Sequence, residues 1–255
     1  MRIRVLGSSG GIGKDHKTTS FLIDEDVLID AGTGVGDLTL DEMQKIRSVF
    51  LTHSHLDHIS HLSFLMDTLF SHLRSPVQVF AQQETIDTIK SHVFNWSVWP
   101  DFSVLPDEKN PVVVFNAMEA GETKQLSDDR LVQMIAVNHT VPAVAICVTQ
   151  KGKSFAFSGD TTTNDTLWQG LNQLENLDLL FIESAFPNEQ IELSKIAKHY
   201  CPSLLAEDIK KLKHQSRICI SHTMPIDESL IMQQCKEAMP DRNLQLLSSE
   251  QVYEV

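Results

Sequence analysis

His53-Ser54-His55-Leu56-Asp57-His58 places three imidazoles and one carboxylate within six residues. Neutral imidazole and carboxylate are ligands for zinc, and also for manganese or iron. The flanks give this cluster a shape. Ser48 to Thr52 is a short apolar run rich in β-formers and reads as a buried strand. From Asp57 to about Leu73 the apolar residues Ile59, Leu62, Phe64, Leu65, Leu69 and Leu73 turn to a helical spacing. The cluster therefore lies at a strand–helix junction. His53 and His55 alternate at the strand end and can face one metal. Asp57 and His58 fall in the first helical turn and point toward a second.

One cluster does not fill two sites, so further ligands are expected at later strand ends. His139 follows a strand that ends at Val137. Asp160, in Ser158-Gly159-Asp160-Thr161, follows one that ends near Phe157, and His222 follows one that ends at Ile220. Each is a ligand-type residue directly after an apolar β-run.

Outward from these motifs, strands are expected at 2–6, 20–23 and 27–29, with a hairpin turn at Asp24-Glu25-Asp26. Strands and helices then alternate. Strands are expected at 77–81, 112–115, 131–137, 143–149, 154–158 and 177–183, with 217–221 as the last. Helices are expected at 84–93, 167–173, 204–213 and 226–238. Residues 95–111 stand apart as an aperiodic excursion or lid with two of the three tryptophans, Phe102 and three prolines. With no composition break, residues 1–255 read as one α/β domain in which two mixed β-sheets carry helices outside.

Composition bounds the function. The chain has 255 residues, 42% hydrophobic and 22% charged, ordinary values for a globular protein. No run approaches eighteen apolar residues, and Met1 to Gly11 reads as a first strand and turn rather than a leader, so a cytoplasmic location is expected. The net charge of −13 opposes recruitment of long nucleic acids and favours a small substrate. The four cysteines form no C-x-x-C pair and read as reduced core residues.

The pattern H-x-H-x-D-H, then His, then Gly-Asp, then His resembles the metallo-β-lactamase superfamily. Further stretches resemble its class II cyclic-nucleotide phosphodiesterase group: Val5 to Gly11, Thr18 to Leu22, Leu28 to Gly34, Asn95 to Phe102, Asn138 to Ala143 and His199 to Pro202. Ser60-His61-Leu62 departs from the pattern, where small residues are expected, and His61 reads as a helix-face residue. The resemblance implies a four-layer αβ/βα sandwich. It makes His53, His55 and His139 ligands of one divalent ion, Asp57, His58 and His222 ligands of a second, and Asp160 the bridge. It implies two ions, zinc before manganese or iron, a hydroxide shared between them as nucleophile, and a homodimer.

By the same resemblance the implied substrate is a 3′,5′-cyclic nucleotide, cAMP or cGMP, opened to a 5′-nucleotide. Asp57, Glu183 and His199 are the implied catalytic residues. His199 suits a proton donor to the leaving oxygen or a helix-capping histidine. Glu183 suits its orienting partner or a turn carboxylate. Asp30 suits support of a liganding imidazole or plain turn chemistry. Trp96, Trp99 and Phe102 suit packing of the excursion, a dimer contact, or stacking on a base. Competing readings are a tRNA 3′-processing endonuclease, a lactone or thioester hydrolase on the same fold, and a metal-binding protein without turnover. The first typically carries a Gly- and Lys-rich arm, which this sequence lacks.

Overall fold

Six strands from the first half of the chain build one sheet: β1 (Arg2–Gly7), β2 (Ser20–Ile23), β3 (Val27–Ile29), β4 (Ser48–Phe50), β5 (Val77–Ala81) and β6 (Val113–Ala117). Seven more build a second: β7 (Thr123–Gln125), β8 (Leu131–Ala136), β9 (Val144–Gln150), β10 (Lys153–Phe157), β11 (Leu179–Glu183), β12 (Arg217–Ser221) and β13 (Leu244–Leu246). The chain then returns to the first sheet as β14 (Val252–Glu254), beside β1. The computed structural model describes residues 1–72 and 75–255. Leu73, the expected end of the 57–73 helix, lies outside the described residues.

Both sheets follow one plan. The first opens antiparallel through β1, β2 and β3 and continues parallel through β4, β5 and β6. The second is antiparallel from β7 to β10 and parallel from β10 to β13. Parallel neighbours need long crossovers, and helices supply most of them on the outer faces. Side-chain alternation then divides the core into three. Ile3, Val5, Phe21, Ile29, Phe157 and Phe181 lie among the residues packed between the sheets. There Phe21 meets Phe157 edge-on at 4.8 Å and Phe181 at 5.2 Å. The opposite faces, with Leu22, Leu28 and Val49 on one sheet and Leu180, Ile182 and Ile218 on the other, pack against the helices. Strands covered on both faces read as continuous apolar runs, which is why they stand out in the sequence. The four-layer αβ/βα arrangement of two mixed sheets flanked by helices is thus observed.

Three expectations need correction. The 57–73 helix is two helices, Leu56–Ile59 and Leu62–Leu69. The His58 carbonyl accepts the Ala31 amide at 2.7 Å, and the Ala31 carbonyl accepts the His61 amide at 2.8 Å. The loop after β3 thereby takes groups that a continuous helix would use itself. Next, 217–221 is not the last strand, because β13 and β14 follow. Three-residue edge strands are too short to show a period, and pairing with β12 and β1 creates them. Finally, the 204–213 helix runs Pro202–Asp208 and ends in the 3-10 turn Ile209–Lys211. Proline in the first turn suits a helix start, since its missing N–H has no intrahelical partner there.

Candidate metal centre

Parallel strands leave their carboxyl ends on one sheet edge, where loops can converge. β4 leads into Thr52 and His53, β10 into Ser158-Gly159-Asp160, β11 ends on Glu183, and β12 leads into His222. The loops turn sharply to deliver these side chains. Gly159 has φ +60°, and a Cβ there would lie 2.7 Å from the Val144 carbonyl oxygen. Asp30 and His222 adopt φ of 56° and 55°, a region that costs non-glycine residues free energy and that clusters at functional sites. The His222 amide donates to the Ser8 carbonyl at 2.6 Å, which helps hold that turn.

Two donor sets result. His53, His55, His139 and Asp160 place one ligand atom each within 4.8 Å of one another, and so do Asp57, His58, Asp160 and His222. Asp160 belongs to both. Its Oδ2 lies 3.6 Å from His53 Nε2 and 3.3 Å from His222 Nε2, and its Oδ1 lies 3.3 Å from His58 Nε2. Asp57, about one-third exposed, is 3.5 Å from His58 Nε2 and 3.8 Å from His222 Nε2. His61 lies outside both sets. His53 Nε2, His58 Nε2 and Asp160 Oδ1 are buried without a hydrogen-bond partner among the described residues. Orphaned buried polar atoms are costly, and three converging on one spot fit a divalent cation. The residues present therefore suit the metal that the sequence implies.

The far sides of these imidazoles are held as well. His58 Nδ1 lies 2.6 Å from Asp30 Oδ2, and the buried Asp30 also accepts from the Thr52 amide and hydroxyl at 2.8 Å each. His139 Nδ1 donates to the Lys198 carbonyl at 3.1 Å, and Lys198 Nζ donates back to the His139 carbonyl at 2.9 Å. Thr52 and Lys198 escaped the sequence reading. Thr52 lies beside the motif, so its adjacency to His53 is a usable signal, whereas Lys198 acts through backbone geometry that no motif reports.

Burial favours the neutral form of the three imidazoles in the first set. It pushes His53 well below the ordinary histidine range, lowers His55, and brings His139 down to about 4. Neutral imidazoles present free lone pairs at neutral pH. For His58 burial acts the same way, but the Asp160 and Asp30 carboxylates outweigh it and hold its pKa well above the ordinary value. Burial raises Asp160, yet His222 and His58 draw it well below the usual carboxylate range.

Beside Asp160 stands a third group. Glu183 Oε1 lies 2.8 Å from His199 Nδ1. The Thr161 amide at 2.8 Å and the Tyr200 amide at 3.2 Å fix the two Glu183 oxygens. Tyr200 is anchored in turn, its hydroxyl donating to Asp208 Oδ2 at 2.6 Å, which also takes the Trp168 indole N–H at 2.8 Å. The His199 ring stacks on His222 at 5.3 Å and meets His139 edge-on at 5.0 Å. Burial lowers the His199 pKa, but the Glu183 charge and hydrogen bond prevail and raise it to about 9.

The excursion aromatics separate. Phe102 is 2% exposed and packs against Phe70 and Phe94, so its ring has no free face for a base. This corrects its assignment as a substrate contact. Trp99 is half-buried and meets Phe64 edge-on at 5.0 Å. Trp96 is 63% exposed.

A sequence profile described as a beta-lactamase superfamily domain matches residues 25–222, well over half of the chain and inclusive of every candidate ligand. The chain belongs to this superfamily. Its metallo-β-lactamase fold recurs in solved structures. Unliganded yeast PDE1 superposes over 100% of this chain and 99% of its own, with a TM-score of 0.84 at 14% identity. The short form of human tRNase Z also covers 100% and 99%, with a TM-score of 0.68 at 18% identity. At such identities the likeness is one of fold. By sequence, a probable 3′,5′-cyclic-nucleotide phosphodiesterase of Yersinia pestis is 27% identical over 205 residues, covering 71% of this chain. The match spans 58% of that relative's length. The two His/Asp donor sets fit divalent metal binding in this chain. Among the described residues no helix is long and apolar enough to cross a membrane.

Proposed function

We propose that this chain is a cytoplasmic phosphodiesterase that opens 3′,5′-cyclic nucleotides to 5′-nucleotides with two divalent ions, zinc foremost. The observation that carries this reading is the His199–Glu183 pair beside two donor sets that share Asp160. His53, His55, His139 and Asp160 would hold one ion; Asp57, His58, Asp160 and His222 would hold the other. Ions there supply Lewis acidity, neutralising phosphoryl charge and lowering the pKa of water. The chain's own residues supply the proton. With Nδ1 engaged by Glu183, His199 keeps Nε2 as the nitrogen that can protonate a departing ribose 3′-oxygen. The Glu183 charge and hydrogen bond favour the protonated form of His199. Glu183, clamped by two amides, fixes the ring's orientation.

The test compares cAMP, cGMP, 2′,3′-cyclic nucleotides and tRNA precursors with zinc- or manganese-loaded protein. Release of 5′-nucleotides from the 3′,5′-cyclic substrates is expected. Cleavage of tRNA precursors instead would establish the endonuclease reading, which the net charge of −13 disfavours.

Asp30 supports the centre without entering either donor set. Asp30→Asn keeps the volume but weakens the acceptor that orients His58. Metal affinity is expected to fall about 10–100-fold while the chain stays folded. Calorimetric zinc titration with circular dichroism measures both, and an unchanged affinity would reduce Asp30 to a turn residue.

A further inference from the structure

An apolar cavity of about 320 Å³ opens beside the metal centre, walled by Ile12, Phe186, Met224, Pro225 and Ile226. Its place follows from the chain. Met224 and Pro225 come just after His222, and the Phe186 ring lies 5.7 Å from the His199 ring. On the loop that carries Ile12, Gly10 packs so close that a Cβ would lie 2.9 Å from the His222 carbonyl oxygen. Ile12 and Ile226 are 74% and 96% exposed, an unusual cost in water at the mouth of a cavity. Concave, mostly apolar sites with few polar groups are the usual form of small-ligand pockets.

Two polar side chains, Gln190 and Asp227, line the same cavity. Asp227 is the N-cap residue of helix Glu228–Ala238, where an aspartate ordinarily bonds first-turn amides. Here it makes no side-chain cap bond. Among the described residues no hydrogen bond or ion pair engages its carboxylate.

We propose that this cavity is the base subsite of the phosphodiesterase and that it prefers guanine; the proposal rests on the cyclic-nucleotide reading above. Phe186 offers an aromatic face on which any base stacks. Asp227 discriminates. A carboxylate accepts two hydrogen bonds at once, and guanine presents N1–H and the 2-amino group side by side. Adenine presents one amino group and a lone pair at N1, which a carboxylate repels. The Gln190 amide can donate to guanine O6.

The test measures kcat/KM for cGMP and cAMP with the wild type, Asp227→Asn and Trp96→Ala. The wild type is expected to favour cGMP. Asp227→Asn should move the cGMP-to-cAMP ratio toward cAMP by about 10-fold, mainly through KM, since the amide can pair with adenine. An unmoved ratio, or an equal kcat loss on both nucleotides, overturns the proposal. So does a ratio that Trp96→Ala shifts and Asp227→Asn does not, which places the base on the 95–111 excursion. Calorimetric binding of GMP and AMP to the wild-type chain separates this proposal from the reading beneath it. If neither cyclic nucleotide is hydrolysed, the phosphodiesterase reading fails, while tighter GMP binding still supports the subsite and equal affinities overturn it.

Discussion

Replacing His199 by alanine is expected to lower kcat for a 3′,5′-cyclic nucleotide by about 10²–10⁴-fold, the usual share of general acid catalysis. Hydrolysis of bis(p-nitrophenyl) phosphate should suffer far less. Ribose O3′ leaves as a poor alkoxide and needs a proton, whereas p-nitrophenolate does not. Metal content should stay unchanged, because His199 belongs to neither four-residue donor set. Equal losses on both substrates would make His199 a positioning residue, and loss of metal would make it a ligand.

The pH behaviour of the pair tests the same idea. The folded-state pKa of His199, about 9, lies above the ordinary value of 6.5. The stability that this pair contributes is therefore fully present below 6.5 and is lost as pH rises through about 9. Nuclear magnetic resonance titration of the metal-free chain should show that midpoint for the imidazole. Glu183→Gln removes the charge that raises it and should bring the midpoint down toward the ordinary range. Bound cations lower it too, like charge opposing like, so the metal-free chain gives the clean measurement.

A larger effect is expected from Asp160→Asn. The substitution keeps the shape and removes the one carboxylate that both donor sets share. Its oxygens lie within 3.6 Å of His53, His58 and His222. Loss of a supporting residue costs roughly 10–100-fold in metal affinity, so loss of a shared ligand should exceed about 100-fold. The purified variant should retain fewer than one ion per chain by elemental analysis, and phosphodiester hydrolysis should drop to background. Retention of two ions per chain would remove Asp160 from the bridging position. Together with His199→Ala, which keeps metal and loses acid catalysis, this variant separates binding from proton transfer.

The aromatic excursion shows where sequence reading stops. Trp96, Trp99 and Phe102 share one aperiodic stretch, yet one is exposed, one half-buried and one buried. Nothing local distinguishes them. Phe102 is buried because Phe70 and Phe94 meet it from other segments.

The sequence by itself determined the longer, covered strands and, with the family resemblance, the identity of the seven candidate ligands, but not the short edge strands β7, β13 and β14 or the helix Ile191–Ala197. Strands covered on both faces appear as apolar runs, and each ligand follows the end of such a run. The family resemblance already implied how those ligands divide around Asp160, but only the tertiary structure brings residues from 53 to 222 into two donor sets that share it, as the two sheets pack together. The tertiary structure alone showed that the Ala31 backbone breaks the helix after His58, that Lys198 braces His139, and that Asp227 makes no side-chain cap bond and lines an apolar cavity. Each is a contact between segments distant in sequence, made through backbone groups or through a side chain whose local role lay open, and no spacing within one segment reports it.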